Sequence, residues 1–541
     1  MRIPILLALM GALAGPLLAG PGLEQLQGVQ AHPWVPGQVQ PNAWSRPLAE
    51  IVVARGAMPL ENPTSLIAHY GYLSDGPMLP LPGSVQSPGH NVEATKTEPD
   101  KNTYLVLPGQ QGADPGYDYG CHFLFQGHEA GSGHITRINL DADEAHRITL
   151  MADTDASGAP LPLFDGSVWF PWSRRLLFTS EAGARGGVWQ ASLEVPATVE
   201  DLSGILGRGG YEGIQADAQG QLWIVEDAGG PTGTASPHAK QPNSFIYRFV
   251  PQNPRDLKIG GRMQVLQVLS LAHPGPIVFH PGGADADILS QDVADLHAYG
   301  KAFATRWITI HDTATDGLQA YDANALAKGR GGTPFKRPEN GQFRPGSSFG
   351  EFFFTETGDT NLLTEAGSAH GGFGALFRLS QAGPASDQGV LRLFYLGDAA
   401  HSGLDNLTFW GEHQLVAVED AGDTLHAQRN ALDSAYLFDT REDYSHPMAW
   451  PLRVLALGRD ASSTVDAGLL TAGHGYQNEG DNEITGIHVS DGDPSVRGLI
   501  GTHIPKPFHE GWRVFYTQQH GDNLTFEVLS THHEFDDRDL R

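Results

Sequence analysis

Acidic side chains recur at fixed offsets in this sequence. In YEGIQADAQGQLWIVEDAGG (211–230) and LDNLTFWGEHQLVAVEDAGD (404–423) a carboxylate stands second, a polar turn and an apolar run follow, and Glu-Asp-Ala-Gly comes next. Glu212 to Glu226 and Asp405 to Glu419 are both 14 residues apart. Looser copies at 165–183, 347–360 and 483–523 contribute Glu181, Glu356 and Glu483. With Asp227 and Asp420, the candidate set is Glu181, Glu212, Glu226, Asp227, Glu356, Asp405, Glu419, Asp420 and Glu483. Carboxylates that face one another at low dielectric repel unless protons or cations neutralise them. Calcium accepts about six to eight oxygens and tolerates irregular geometry. A metal centre is therefore the chemistry these residues predict as a set, although any one of them alone reads as a solvated turn carboxylate.

Other motifs point to less. DTDASG (153–158) begins like a calcium loop, but its twelfth position is Phe164 where a bidentate Glu is needed, so it reads as a turn. His128-Glu129 is followed by His134 and not by a His four residues on, which breaks the helical zinc spacing. No phosphate-cradling G-x-x-x-x-G-K-[ST] loop and no G-x-S-x-G nucleophile elbow occurs. The single cysteine, Cys121, excludes an internal disulfide and reads as a buried, inert thiol.

Distant segments can share one site only if the fold brings them to a common axis. From Tyr104 onward, short runs such as TYLVL, HFLFQ, QLWIVE, EFFFTE and QLVAVE alternate with Gly, Asp, Asn and Pro, the pattern of strands between tight turns. NALAKG and SQDVADLHAYG are expected as short inserted helices. A strand-turn-strand unit recurring in an all-β chain predicts a β-propeller, here of about six blades with long loop insertions, against the alternative of a β-sandwich. Residues 20–100, rich in Pro, Gly, Gln and Ser, predict an irregular N-terminal segment, and 101–535 the propeller. Residues 1–19 have the charged start, apolar run and small residues of a signal peptide for the general secretory route, so a periplasmic or secreted protein is expected. With 34 Lys+Arg against 62 Asp+Glu, the net charge of −28 argues against nucleic-acid binding. A monomer without a membrane segment after signal cleavage is expected.

The blocks DGSVWFPWSRRLLFTSE, GGYEGIQADAQGQLWIVEDAGG, SFIYRFVP, LDNLTFWGEHQLVAVED and NEITGI…WRVFYTQQHGDN resemble the PhoX-type alkaline phosphatases, secreted bacterial β-propellers, over roughly residues 100 to 525. The resemblance implies hydrolysis of phosphate monoesters at a cluster of calcium and iron ions in the channel. It implies metal ligation by Glu181, Glu212, Glu226, Asp405 and Glu419, support from Asp227 and Asp420, and catalytic roles for Glu212 and Asp405. A departure accompanies it. Thr179-Ser180-Glu181-Ala182 stands where the family reads Thr-Cys-Glu-Glu, so calcium is the expected cofactor and iron loses its thiolate. Arg185, Lys240 and Arg429 lie near the repeats as candidate phosphate clamps, with exposed surface cations as the alternative. Calcium-dependent lactone or ester hydrolysis, and a non-catalytic propeller binding a ligand or envelope partner, are the rival functions.

Overall fold

Runs such as Leu222-Trp-Ile-Val225 and Leu415-Val-Ala-Val418 are apolar at every position because each strand is covered on both faces. Leu222 and Ile224 pack into one core while Trp223 and Val225 pack into the next, as period-2 alternation requires. The same division separates Leu415 and Ala417 from Val416 and Val418. A stack of sheets with a core between each neighbouring pair is the consequence. The computed structural model describes residues 23, 26–35, 38–76, 78, 94–464 and 482–531. Residues 1–19, read above as a signal peptide, lie outside the described residues.

The sheets form a six-bladed propeller. The first blade is β3 (Pro99–Val106), β4 (His122–His128), β5 (Ile135–Asn139) and β6 (Ile148–Ala152). The second is β7 (Ser167–Phe170), β8 (Arg175–Ser180), β9 (Gly187–Ala191) and β10 (Val199–Asp201), and the third begins with β11 (Tyr211–Ala216), β12 (Leu222–Glu226), β13 (Ile246–Pro251) and β14 (Gly261–Val268). A long strand, β15 (Phe303–Asp312), pairs on one side with β14 and on the other with the fourth blade, merging two blades into one nine-stranded sheet. The fourth blade is β16 (Gly341–Phe343), β17 (Glu351–Glu356), β18 (Ala375–Gln381) and β19 (Gln388–Leu396). The fifth holds β20 (Leu404–Phe409), β21 (Gln414–Glu419), β22 (Ser434–Asp439) and β23 (Leu452–Ala456), and the sixth β24 (Glu483–Ser490), β25 (Arg513–Gln519) and β26 (Leu524–Ser530).

Within the otherwise irregular N-terminal segment, two short strands complete these last blades. β1 (Ala43–Trp44) pairs with β23, and β2 (Leu48–Ala54) pairs with β26 along its whole length. The chain's beginning is thereby stitched to its end, and the outer edge of the sixth blade is covered. The innermost strands pack in the order β3, β7, β11, β16, β20, β24, and β24 returns to β3. The expected inserted helices are present at Gln291–Leu296 and Ala323–Arg330. No helix of the described residues is long and apolar enough to cross a membrane.

Candidate metal centre

Strand register shows which repeated positions are equivalent. The residue two before the end of each second strand pairs with an inner-strand residue: Gln126 with Asn102, Phe178 with Ser167, Ile224 with Ile214, Phe354 with Gly341, Ala417 with Leu407 and Thr517 with Thr485. Two residues before each of these inner-strand partners stands an acid in every blade: Asp100, Asp165, Glu212, Glu339, Asp405 and Glu483. All but the half-buried Glu483 are at most 5% exposed. In β3, β11 and β20 the register slips by one residue here, between Pro99 and Asn102, Tyr211 and Ile214, and Leu404 and Leu407. Such bulges turn a side chain out of the pleat, and here they fall on the ring residues. Thr179 and Thr355 add donors to the carbonyls of Glu212 and Asp405 in the neighbouring blade, 2.7 Å in the second case.

A shallower tier follows the second strands. Glu129, Glu181, Asp227 and Asp420 each stand one residue past a strand end and are half-buried, with Thr357 and His520 at the same place in the other two blades. The acids form four overlapping triads whose ligand atoms lie within 4.8 Å of one another: Asp100–Glu129–Asp165, Asp165–Glu181–Glu212 and Glu181–Asp227–Glu339, which join the two tiers, and Glu212–Glu339–Asp405 within the deep one. His520 Nε2 lies 2.6 Å from Glu483 Oε2.

Burial, and after it the neighbouring carboxylates, pushes the acids far from their usual range. Asp165, Glu212, Glu339, Asp405 and Glu129 are raised well above it. Burial lifts Glu181 to about 7 and Glu483 to about 8. Asp165 Oδ1, Glu181 Oε1 and Asp227 Oδ1 are buried oxygens with no hydrogen-bond donor among the described residues. Donorless carboxylate oxygens gathered in this way fit hard cations, and the donor set is almost wholly oxygen. Ser180, where the resemblance led a cysteine to be expected, has a buried hydroxyl without a hydrogen-bond partner among the described residues. Cys121 precedes β4 whereas Glu129 follows it, a separation of about 20 Å or more along extended chain. The thiol instead lies beside His122 and Asp141, half-buried, and does not supply the missing thiolate.

Of the sequence-predicted residues, the ring gathers Glu212, Asp405 and Glu483 in its deep tier and Glu181, Asp227 and Asp420 in its shallow one. Glu226, Glu356 and Glu419 turn away into their own blades, contrary to the expectation that they are ligands. They are the last residues of β12, β17 and β21, so alternation directs them opposite to the residue that follows. Glu226 accepts from Tyr247 Oη at 2.9 Å and Asn324 Nδ2 at 3.0 Å. Glu356 accepts from the Lys336 backbone and His297 Nε2, both at 2.8 Å. Glu419 takes a bidentate Arg429, at 2.8 and 3.0 Å. All three fasten inserted loops and helices onto the blades. Arg429 is accordingly buried in a structural pair and Arg185 is exposed, so neither is a clamp at the ring.

The residues missed from sequence are Asp100, Glu129, Asp165, Glu339 and two cations among them. Arg337 donates from Nε to Asp227 Oδ2 at 2.9 Å and lies with Nη2 3.0 Å from Glu339 Oε1. Lys101, 3% exposed, reaches into the ring, where burial pulls its pKa down to about 8 against the opposing pull of Glu212, Asp100, Asp405 and Asp165.

Comparison with known proteins agrees with the propeller fold. The family model described as alkaline phosphatase PhoX matches residues 236–434, from within the third blade to the start of β22 in the fifth. The solved structure of Pseudomonas fluorescens PhoX in complex with vanadate, a transition state analogue, has 11% identity and a TM-score of 0.53, covering 94% of this chain and 98% of that one. The α-L-arabinofuranosidase PaAbf62A of Podospora anserina (9% identity, TM-score 0.29, 86% and 98% covered) and the periplasmic gluconolactonase of Pseudomonas aeruginosa (14%, 0.29, 76% and 97%) are too distant in fold to bear on this chain. No curated protein matches the sequence. The family match over 236–434 and the propeller shared along nearly the whole chain bear out the resemblance read from the blocks: this chain is similar to the PhoX-type alkaline phosphatases in sequence over those residues and in fold along most of its length.

Proposed function

We propose that the chain is an exported, calcium-dependent hydrolase of phosphate monoesters, working at the carboxylate ring. The observation that carries this reading is the set of four interlocked acid triads with donorless buried oxygens, contributed by the first five blades. Bound calcium would supply positive charge to a site that otherwise repels an anionic ester, and would polarise the phosphoryl group. Asp165, Glu181, Glu212, Glu339 and Asp405 would hold it, with Glu129, Asp227, Asp420 and Glu483 at the margins. The oxygen-rich donors favour calcium over iron.

Arg337 completes the anion site from the protein's own atoms. Asp227 and Glu339 hold two edges of the guanidinium, and among the described residues nothing accepts from its Nη1. A planar fork fixed in this way orients a phosphate oxygen better than a mobile ammonium does. Glu212 and Asp405, on adjoining sides of Glu339, are the positions where a carboxylate can take a proton from an attacking water. Export through the general route and action as a monomer complete the reading.

Turnover of p-nitrophenyl phosphate by the full chain supplied with calcium tests it. The expected result is hydrolysis that disappears with EGTA and in Glu212→Gln. Absence of hydrolysis from neutral to alkaline pH with calcium or iron supplied would overturn it.

A further inference from the structure

Of the two cations that the protein itself places among the ring acids, Lys101 lies in the deep tier. Lys101 follows Asp100 in β3, and its counterparts by register are Gly166, Gly213, Asn340, Asn406 and Ile484. A Cβ at Gly166 would lie 2.3 Å from the Glu212 carbonyl and one at Gly213 2.8 Å from Asn340 Oδ1, so the inner strands leave no room for side chains there. Lys101 uses that space. Its Nζ donates to Asn340 Oδ1 at 2.7 Å. Asn340 belongs to the fourth blade, directly across the ring from the first, so the lysine spans the channel axis.

From there a chain of amides continues round the ring. Asn340 Nδ2 donates to Asn406 Oδ1 at 3.0 Å, and Asn406 Nδ2 donates to both oxygens of Asp405, each at 3.0 Å. On the acidic side of Lys101 lie Glu212, Asp100, Asp405 and Asp165. On the other is a cavity of about 70 Å³, lined by Thr103, Ser167, Gln215, Gln342 and His488.

We propose that the Lys101 ammonium is a built-in cation of the centre, which floors the channel, orients Asp405 through Asn340 and Asn406, and occupies a place that the carboxylates would otherwise fill with a divalent ion. The stoichiometry claim rests on the metal-centre reading and adds to it a fixed charge that chelators cannot remove. Its test is the metal content of the full chain equilibrated with calcium, measured by mass spectrometry for wild type, Lys101→Met, Lys101→Gln and Lys101→Arg. The expected result is one more calcium per chain in Lys101→Met and Lys101→Gln than in wild type, and the wild-type number in Lys101→Arg. Equal content in all four overturns the proposal. Calcium should also rescue the folding of the two uncharged variants, and failure of both to fold at any calcium concentration likewise overturns it. A wild type without divalent metal would sink the metal-centre reading alone. One calcium in Lys101→Met against none in wild type would then still support the built-in cation.

Discussion

Charge in the ring and charge in the blades have different tasks, and substitutions should separate them. In Glu212→Gln one member of a crowded set of carboxylates is neutralised. Repulsion then falls, so this variant should melt at a higher temperature than wild type in EGTA and at a lower one in calcium, as read by calorimetry. The same order of melting in both buffers would mean that Glu212 faces no cation. Arg429→Ala is the opposite case. It leaves Glu419 buried without its bidentate partner, and a loss of about 3–5 kcal/mol is expected in denaturant titration, with calcium content unchanged. Arg337→Met should lower kcat on p-nitrophenyl phosphate by about 10²–10³-fold, the effect of removing one positioned donor from developing charge, without unfolding the chain. The paired repeats made Glu212 and Asp405 visible because their hairpins have the same length: 227 − 212 and 420 − 405 are both 15. Asp100 and Glu129 stand 129 − 100 = 29 apart and Glu339 and Thr357 stand 357 − 339 = 18 apart, so unequal hairpin loops hid their equivalence. The Glu-Asp pair carried a second ambiguity. Which of two adjacent acids faces the channel depends on strand parity, and Glu181 corresponds to Asp227, not to Glu226.

Strands were the most legible level, since turn-bounded apolar runs have few other uses and two-sided burial explains why they lack polar alternation. What composition could not show was pairing over long distance. β1 and β2 arise in a segment whose Pro and Gly content reads as irregular, yet β2 covers the edge of β26 and joins the two ends of the propeller. A chain beginning at residue 56 should therefore expose that edge and lose cooperative unfolding, checked by calorimetry and size-exclusion chromatography. Unchanged melting would show that closure does not depend on β2. Packing between blades makes a similar demand. Trp223 sits in edge-on contact with Trp307 and Phe343, at 5.0 Å each, and its indole N–H donates to Asp217 Oδ2 at 3.1 Å. Its replacement by Ala should cost about 3–5 kcal/mol, because the site where β15 merges two blades can collapse little.

At the scale of the whole molecule, the propeller concentrates acid on its axis and so links stability to pH and metal. Glu181 and Glu483 have folded pKa values of about 7 and about 8, above their unfolded range. In the chelated protein the folded state then binds more protons than the unfolded state between about pH 4.5 and pH 8. Stability from this source is fully present below that window and falls as pH rises through it. On the proposed reading calcium takes over from the protons, so the increase in melting temperature that calcium gives over EGTA should be small near pH 5 and large near pH 8, about the two ends of the window. An increase that stays constant with pH would show that these acids do not bind the ion. The most direct measurement is an anomalous difference map from crystals of the full chain grown in calcium. It should show peaks on the propeller axis about 2.3–2.6 Å from oxygens of Asp165, Glu181, Glu212 and Glu339. An axis without such peaks, with those carboxylates ordered, would contradict the metal centre on which the proposed hydrolysis depends.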